Sequence, residues 1–171
     1  MVFLYALLVV VGIIFVLFGF IAMFAGPKGR GAPFVPSSAK KVRTMVRLSS
    51  RQAERMADLG SGDGRMVIAF ARAGIEAHGF ELNPVLVLWA RMRILFSGLR
   101  GRAYIHLGNY WNADLSQFDV VTVFGLPPIM AVLEKKLRRE LRPGARVFSN
   151  NFHFPTWASV QKEDDVYVYE V

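Results

Sequence analysis

Cysteine is missing from all 171 residues of the chain, which excludes disulfide scaffolds, thiolate metal sites and cysteine nucleophiles. Charge is missing from residues 1–27. Acids are missing from residues 28–51, where Lys28, Arg30, Lys40, Lys41, Arg43, Arg47 and Arg51 contribute +7. Residues 52–171 set 14 basic against 13 acidic side chains, so almost all of the net charge of +8 sits just behind an uncharged run. A body so close to neutral leaves little footprint for phosphate chains, and no nucleic-acid partner is expected. The basic collar points instead to an anionic lipid surface. With 53% hydrophobic and 20% charged residues, the chain is neither disordered nor fibrous. The roughly 145 residues behind the uncharged run fit one compact domain.

The 24 residues from Val2 to Ala25 are Val, Leu, Ile, Phe, Ala, Met, Gly and one Tyr. As a helix rising about 1.5 Å per residue they would extend roughly 36 Å, enough for a bilayer core. The reading is one transmembrane helix within 1–26. A cleaved signal peptide is disfavoured because no Lys or Arg precedes the run, which is about twice the length of a signal-peptide core. Cations directly behind the run predict a single-pass membrane protein with its remaining residues on the cytoplasmic side.

Glycines and prolines punctuate residues 26–33 as a short linker. A helix is expected from Pro36-Ser37 onward, with Val42, Met45 and Val46 on one face and Lys40, Lys41, Arg43 and Arg47 on others. Such a basic amphipathic helix packs as an ordinary surface helix, and its cations also suit it to anionic lipid. The expected division is an anchor at 1–26, a basic linker and amphipathic helix at 27–51, and a ligand-binding domain at 52–171.

Within 52–171, strands are predicted at 55–59, 77–82, 103–107, 120–124, 146–150 and 166–169, and helices at 64–73, 84–98 and 128–141. This alternation predicts an α/β fold around a mostly parallel sheet, with ligands beyond the carboxyl ends of the strands. Between Phe154 and Val166 there is no room for a crossover helix, so the last strands should form a hairpin.

Asp58-Leu59-Gly60-Ser61-Gly62-Asp63-Gly64-Arg65 closes the first predicted strand and opens a helix. Glycines let the backbone approach a ligand there and leave helix amides free to meet it. Glu81 ends the next strand, where a carboxylate can accept both hydroxyls of a ribose. An acid at position 58 would repel pyrophosphate but suits the ammonium of a methionine moiety, which points to S-adenosyl-L-methionine. Asp63 is expected to cap the helix.

The run from Asp58 to Gly64 resembles motif I of class I methyltransferases, and Glu81 resembles their ribose acid. Asn109-Tyr110-Trp111 is similar to the adenine-side loop, with Asn where many relatives have Asp. Taken with Pro33-Phe34-Val35-Pro36-Ser37, Gly79-Phe80-Glu81-Leu82-Asn83-Pro84, Phe124-Gly125-Leu126-Pro127 and Asn151-Phe152-His153-Phe154-Pro155-Thr156-Trp157, the chain resembles the small membrane-anchored protein-lysine methyltransferases of the ATP synthase c-subunit and adenine nucleotide translocase family. The resemblance implies a trimmed class I, Rossmann-like fold preceded by the transmembrane helix. It implies S-adenosyl-L-methionine held by Asp58, Gly60, Ser61, Gly62, Asp63, Gly64, Glu81, Leu82, Asn83, Asn109, Tyr110 and Trp111. It also implies a lysine ε-amine as acceptor, on a protein substrate at or in the membrane.

Methyltransferases of planar amines carry Asn/Asp-Pro-Pro-aromatic after the fourth strand, whereas this chain has Leu126-Pro127-Pro128-Ile129. Without the side-chain acceptor and the stacking ring, nucleobase and glutamine acceptors lose support. A lysine amine needs backbone carbonyls and an aromatic wall to aim its lone pair. Phe124, Gly125, Leu126, Pro127 and Trp157 are the expected catalytic residues, and Phe34 and Pro36 the expected substrate contacts. Small-molecule or lipid-headgroup transfer, and a catalytically inactive membrane-tethered binding module, are the rival readings. The histidines lack metal-ligand spacing, so no metal is expected. Lys135, Lys136, Arg138, Arg139 and Arg142 should form a solvated helix face.

Overall fold

The computed structural model describes residues 2–24, 34–49 and 53–171. It divides into two compact units, Met1–Phe34 and Val35–Val171. The linker expected at residues 26–33 lies outside the described residues, as does Arg51.

In the first unit, helix α1 spans Val2–Phe24, and its described side chains, at residues 3, 5–14 and 16, are exposed. A span requires an unbroken apolar helical window of at least 18 residues. Among the described residues no helix is long and apolar enough to cross a membrane. This corrects the expected transmembrane helix and single-pass, cytoplasmic-side localisation. The expectation rested on the composition of the run, and the described side chains of α1 do not fill such a window.

The second unit begins with α2 (Ala39–Leu48), which Ser38 caps by accepting from the Lys41 backbone N–H at 3.4 Å. There follow β1 (Arg55–Leu59), α3 (Arg65–Arg72), β2 (Glu76–Glu81), α4 (Pro84–Phe96), β3 (Ala103–Leu107), β4 (Val120–Val123), α5 (Pro127–Glu140), β5 (Arg146–Asn150), β6 (Gln161–Glu163) and β7 (Val166–Glu170). The sheet order is β3-β2-β1-β4-β5-β7-β6; β1 to β5 are parallel, and β7 runs antiparallel to β5 and β6. The predicted parallel core and terminal hairpin are both present. The short strand β6 escaped the sequence reading because Gln161-Lys162-Glu163 carries no apolar alternation.

Period-two alternation builds two cores. Met56, Val120, Phe148 and Val168 face α2, α3 and α4, while Ala57, Val121, Val147 and Tyr169 face α5. Between β3 and β4 there is only a 3-10 turn, Tyr110–Asn112. Because the chain winds outward from β1 to β3 and returns through β4, the order reverses between β1 and β4. A crevice opens beyond the carboxyl ends of those strands.

Two expectations about charge change. Three of the four cations of α2 are engaged within their own unit: Lys40 pairs with Asp164 at 2.6 Å, Arg47 with Glu163, and Lys41 with the side-chain carbonyls of Asn150 and Asn151. On α5, Lys136 is buried, donating to the Ala113 carbonyl at 2.8 Å and to Glu140 at 2.7 Å. Its face of α5 is therefore not wholly solvated, because the loop ahead of β4 needs a donor there.

Candidate active site

The glycine loop hangs between two strands. Gly60 and Ser61 both donate their backbone N–H to the Phe80 carbonyl, at 3.0 and 2.9 Å. Gly60, Gly62 and Gly64 have φ of +85°, +53° and +76°. At Gly64 a side chain is excluded twice over, by the left-handed backbone and by the Ala90 Cβ, 2.9 Å from where its own Cβ would lie. Gly79 makes the matching approach from β2: a Cβ there would meet the Ser61 Cβ at 2.5 Å. The loop thus lies flat on β2 and α4, with the Gly60, Ser61, Gly62 and Gly64 amides bonded to Phe80, Glu81 and Ser61.

Two acids flank it. Glu81 accepts from the Gly62 N–H at 2.9 Å through one oxygen and from the Asn83 N–H at 2.8 Å through the other. Each oxygen keeps a lone pair, so a ribose diol can still be accepted. Asn83 caps α4 by accepting from the Val85 N–H at 2.9 Å. Asp58 is buried beside Thr122, whose hydroxyl donates to it at 2.7 Å. Burial pushes its carboxyl up to about 7, against the Thr122 hydrogen bond and with help from the charges of Glu81 and Asp63. A cationic ligand group in the crevice would reverse that cost, which fits an amino-acid ammonium.

Asp63 behaves oppositely. Burial would raise its carboxyl, but the Arg65 hydrogen bond and the Arg93 and Arg65 charges outweigh burial and hold it below the usual carboxylate range. It pairs with Arg65 at 2.9 Å and Arg93 at 2.6 Å, and accepts from the Arg65 N–H at 3.2 Å. Capping is thus one part of its work and clamping two helices the larger part. Arg65 also reaches the Ser37 carbonyl at 2.8 Å, and Asn150 donates to the Ser37 hydroxyl at 2.9 Å. The segment before α2 is thereby tied to α3 and to the end of β5. Thr122, Arg65, Arg93 and Asn150 were not singled out in the sequence. Only Thr122 carried a signal, as the one polar residue in Val-Val-Thr-Val.

Residues 58–161 match the family described as the ANTKMT methyltransferase domain. The chain belongs to that family. Its relatives include the ATP synthase c-subunit lysine N-methyltransferase of Mus musculus, 44% identical over 73% of this chain and 51% of that protein. A protein-lysine N-methyltransferase of Saccharolobus islandicus is 38% identical over 73% of this chain and 80% of its own. The chain spans about half the length of the first of these. Among solved structures, an RNA methyltransferase from Salinibacter ruber in complex with S-adenosyl-L-homocysteine superposes with a TM-score of 0.75 at 33% identity, covering 80% of this chain and 93% of that one. The fold is accordingly that of class I, Rossmann-like methyltransferases.

The family's remaining expected positions are distributed as follows. Leu82 is half-buried directly after β2. Asn109 accepts from the Trp111 N–H at 3.1 Å, which uses one lone pair of its carbonyl and leaves one for an adenine amine. Tyr110 and Trp111 are half-buried with ring centroids 5.2 Å apart. After β4, Gly125 is buried against Met130, Leu126 and Pro127 are exposed, and the half-buried Phe124 ring lies 6.2 Å from Phe152. Trp157 is buried in the α5-side core, 5.2 Å from Tyr169, with the Arg138 guanidinium 5.4 Å over its ring. Its loop is fixed by Glu134, which accepts from the Thr156 N–H at 3.1 Å. Pro36 is exposed, and Phe34 belongs to the first unit. Among the described residues no cluster of His, Cys, Asp or Glu could hold a metal ion.

Proposed function

We propose that the chain is an S-adenosyl-L-methionine-dependent methyltransferase that methylates a lysine ε-amine of a protein. The observation that carries this reading is the pair of acids that flank the glycine loop, Asp58 buried on β1 beside Thr122 and Glu81 bonded to the Gly62 amide at the end of β2, in a member of a family whose named relatives methylate lysine. The cofactor supplies an electrophilic methyl on a sulfonium. Asp58 would hold its ammonium and Glu81 its ribose.

The acceptor amine is held by the carbonyls of Phe124 to Leu126 and by the paired rings of Phe124 and Phe152. The exposed Leu126 and Pro127 form the rim of this channel. The arriving ammonium would first lose a proton to water, and the lone pair so freed would take the cofactor's methyl, with S-adenosyl-L-homocysteine as the leaving group. Positioning accounts for most of the rate, and the ring faces favour a cationic side chain as it arrives. Trp157 supports the channel from the core, and Pro36 is a proposed substrate contact. The substrate is a protein at or in the membrane, since the named relatives act on the c-subunit of ATP synthase and on the adenine nucleotide translocase.

The test is transfer of labelled methyl into native membranes by the full chain beside Glu81→Ala, followed by acid hydrolysis. Methyl-lysine that disappears in the variant is the expected result. Label in lipid, in a small molecule or in RNA would overturn the lysine assignment. Cofactor binding without transfer to any fraction would make the chain a binding module.

A further inference from the structure

Five of the large apolar side chains exposed in the second unit lie together on helix α4. Phe96 is 81% exposed, Leu88 64% and Trp89 53%, and Met92 and Leu95 are also exposed. Trp89, Met92, Arg93 and Phe96 fall at i, i+3, i+4 and i+7, so they share one face of the helix. That face borders a groove of about 420 Å³ lined by Ala39, Val42, Arg43, Arg65 and Arg93. Three guanidiniums meet in the groove, and a single carboxylate, Asp63, answers two of them. Residues 83–113 contain Arg91, Arg93, Arg100 and Arg102 and no acid.

We propose that this face, the α4 stripe with the arginine groove beside it, docks on an anionic bilayer surface. The apolar side chains enter between headgroups while the guanidiniums take lipid phosphates. The contact is peripheral and needs no segment to cross the bilayer. Three observations select lipid as the occupant. The indole N–H of Trp89 is the one polar group among the five exposed apolar side chains, so the stripe has no hydrogen-bond pattern for a partner protein to read. Cations outnumber acids around it, with Asp63 alone against Arg43, Arg65 and Arg93 in the groove and no acid in residues 83–113, which is the composition of interfacial helices. The planar forks in the groove suit phosphate oxygens. Of the α2 cations, Lys40, Arg47 and Lys41 are already paired with Asp164, Glu163, Asn150 and Asn151, and only Arg43 turns to the groove.

The absence of cysteine allows one label at a chosen site, which keeps the readout specific to α4 in the full chain. A nitroxide on Phe96→Cys is compared with one on Val132→Cys, an exposed position of α5. Power-saturation spectra are taken with phosphatidylcholine vesicles and with equimolar phosphatidylcholine and phosphatidylglycerol. The α4 label is expected to move from water to oxygen-rich lipid only in the anionic vesicles and to return to water at high salt. The α5 label is expected to stay aqueous. Arg100→Glu and Arg102→Glu should each reduce the lipid-inserted fraction about fivefold. An aqueous α4 label in both vesicles, or equal insertion in both, would overturn the proposal. Spin–spin broadening without vesicles would assign the face to a second copy of the chain. Release by inorganic phosphate at an ionic strength where chloride leaves the label inserted would assign the groove to free phosphate.

Discussion

The Thr122 hydroxyl on β4 donates to the Asp58 carboxylate on β1 at 2.7 Å, and neighbouring strands thereby hold a buried acid at the mouth of the crevice. The bond partly offsets a desolvation cost large enough to raise that acid from 3.8 to about 7. An acid raised on folding binds more protons in the native state, so stability falls as pH climbs from about 3.8 to 7 and stays lowered above that. Asp58→Asn removes the charge and keeps an acceptor for Thr122. Urea unfolding of the unliganded protein should show the variant more stable by a few kcal/mol at pH 8, with the gap closing on acidification. Equal stabilities at pH 8 would mean that Asp58 is solvated.

The same acid predicts a proton signature. If an ammonium group of the cofactor settles beside Asp58, binding near pH 7 must release a proton, because the ligand charge restores the ordinary acidity of the carboxyl. Calorimetric titration with S-adenosyl-L-homocysteine in buffers of different ionisation enthalpy should give heats that differ by a fraction of a proton. The difference should vanish in Asp58→Asn. 5′-Methylthioadenosine, which lacks the amino-acid group, should release none.

Gly79 of β2 faces Ser61 of the loop with no room for a methyl group between them. Gly79→Ala would place its Cβ 2.5 Å from the Ser61 Cβ and 2.8 Å from the Ile105 side chain. Overpacking of this kind costs about 1–3 kcal/mol, and it should displace the loop and weaken cofactor binding as well. Ser61→Gly in the same chain removes the first clash while Ile105 can shift, so the double variant should recover part of both losses. A double variant no better than Gly79→Ala alone would place the strain elsewhere.

How far the sequence was legible follows from what each element rests on. β1, β3 and β5 have the predicted bounds because apolar runs flanked by turn residues admit one reading. Asp58, Glu81 and the glycines were found because local backbone geometry ties residue type to position there. Arg93 was invisible because it meets Asp63 across 30 residues with no spacing rule between them. The α2 cations misled for a similar reason: their partners, Glu163 and Asp164, lie in a hairpin over 110 residues away. Composition also misled at the start of the chain, where an apolar run does not by itself supply the helical window of a span.

Trp157 tests whether an aromatic residue in a family motif acts on substrate or on packing. Its ring is buried against Phe154 and Tyr169, and removing such a ring costs about 3–5 kcal/mol. Trp157→Ala should lower the stability measured by urea unfolding by that amount. Trp157→Phe should restore most of the stability and, with it, methyl transfer. Activity that remains lost in a stable Trp157→Phe would place the indole at the substrate.

Asp63 supplies the acid-side counterpart of Asp58. Its carboxyl is held below 3.8 by Arg65 and Arg93 despite burial, so its contribution to stability is present above that pH and is lost as pH falls through its lowered value. Asp63→Asn should therefore destabilise at pH 7, with the effect shrinking as pH falls through the lowered value of the carboxyl, opposite in sign to Asp58→Asn. The expected loss is about 1–3 kcal/mol, since two guanidiniums lose their carboxylate but remain about one-third exposed. Arg93 keeps its 2.7 Å bond to the Asp63 backbone carbonyl, so α4 should stay docked. Arg65 has no second tie to the loop, and its grip on Ser37 should loosen. Hydrogen exchange should then rise at residues 37–41 before it rises in α4, and exchange that rises first in α4 would make Arg93 the stronger of the two clamps.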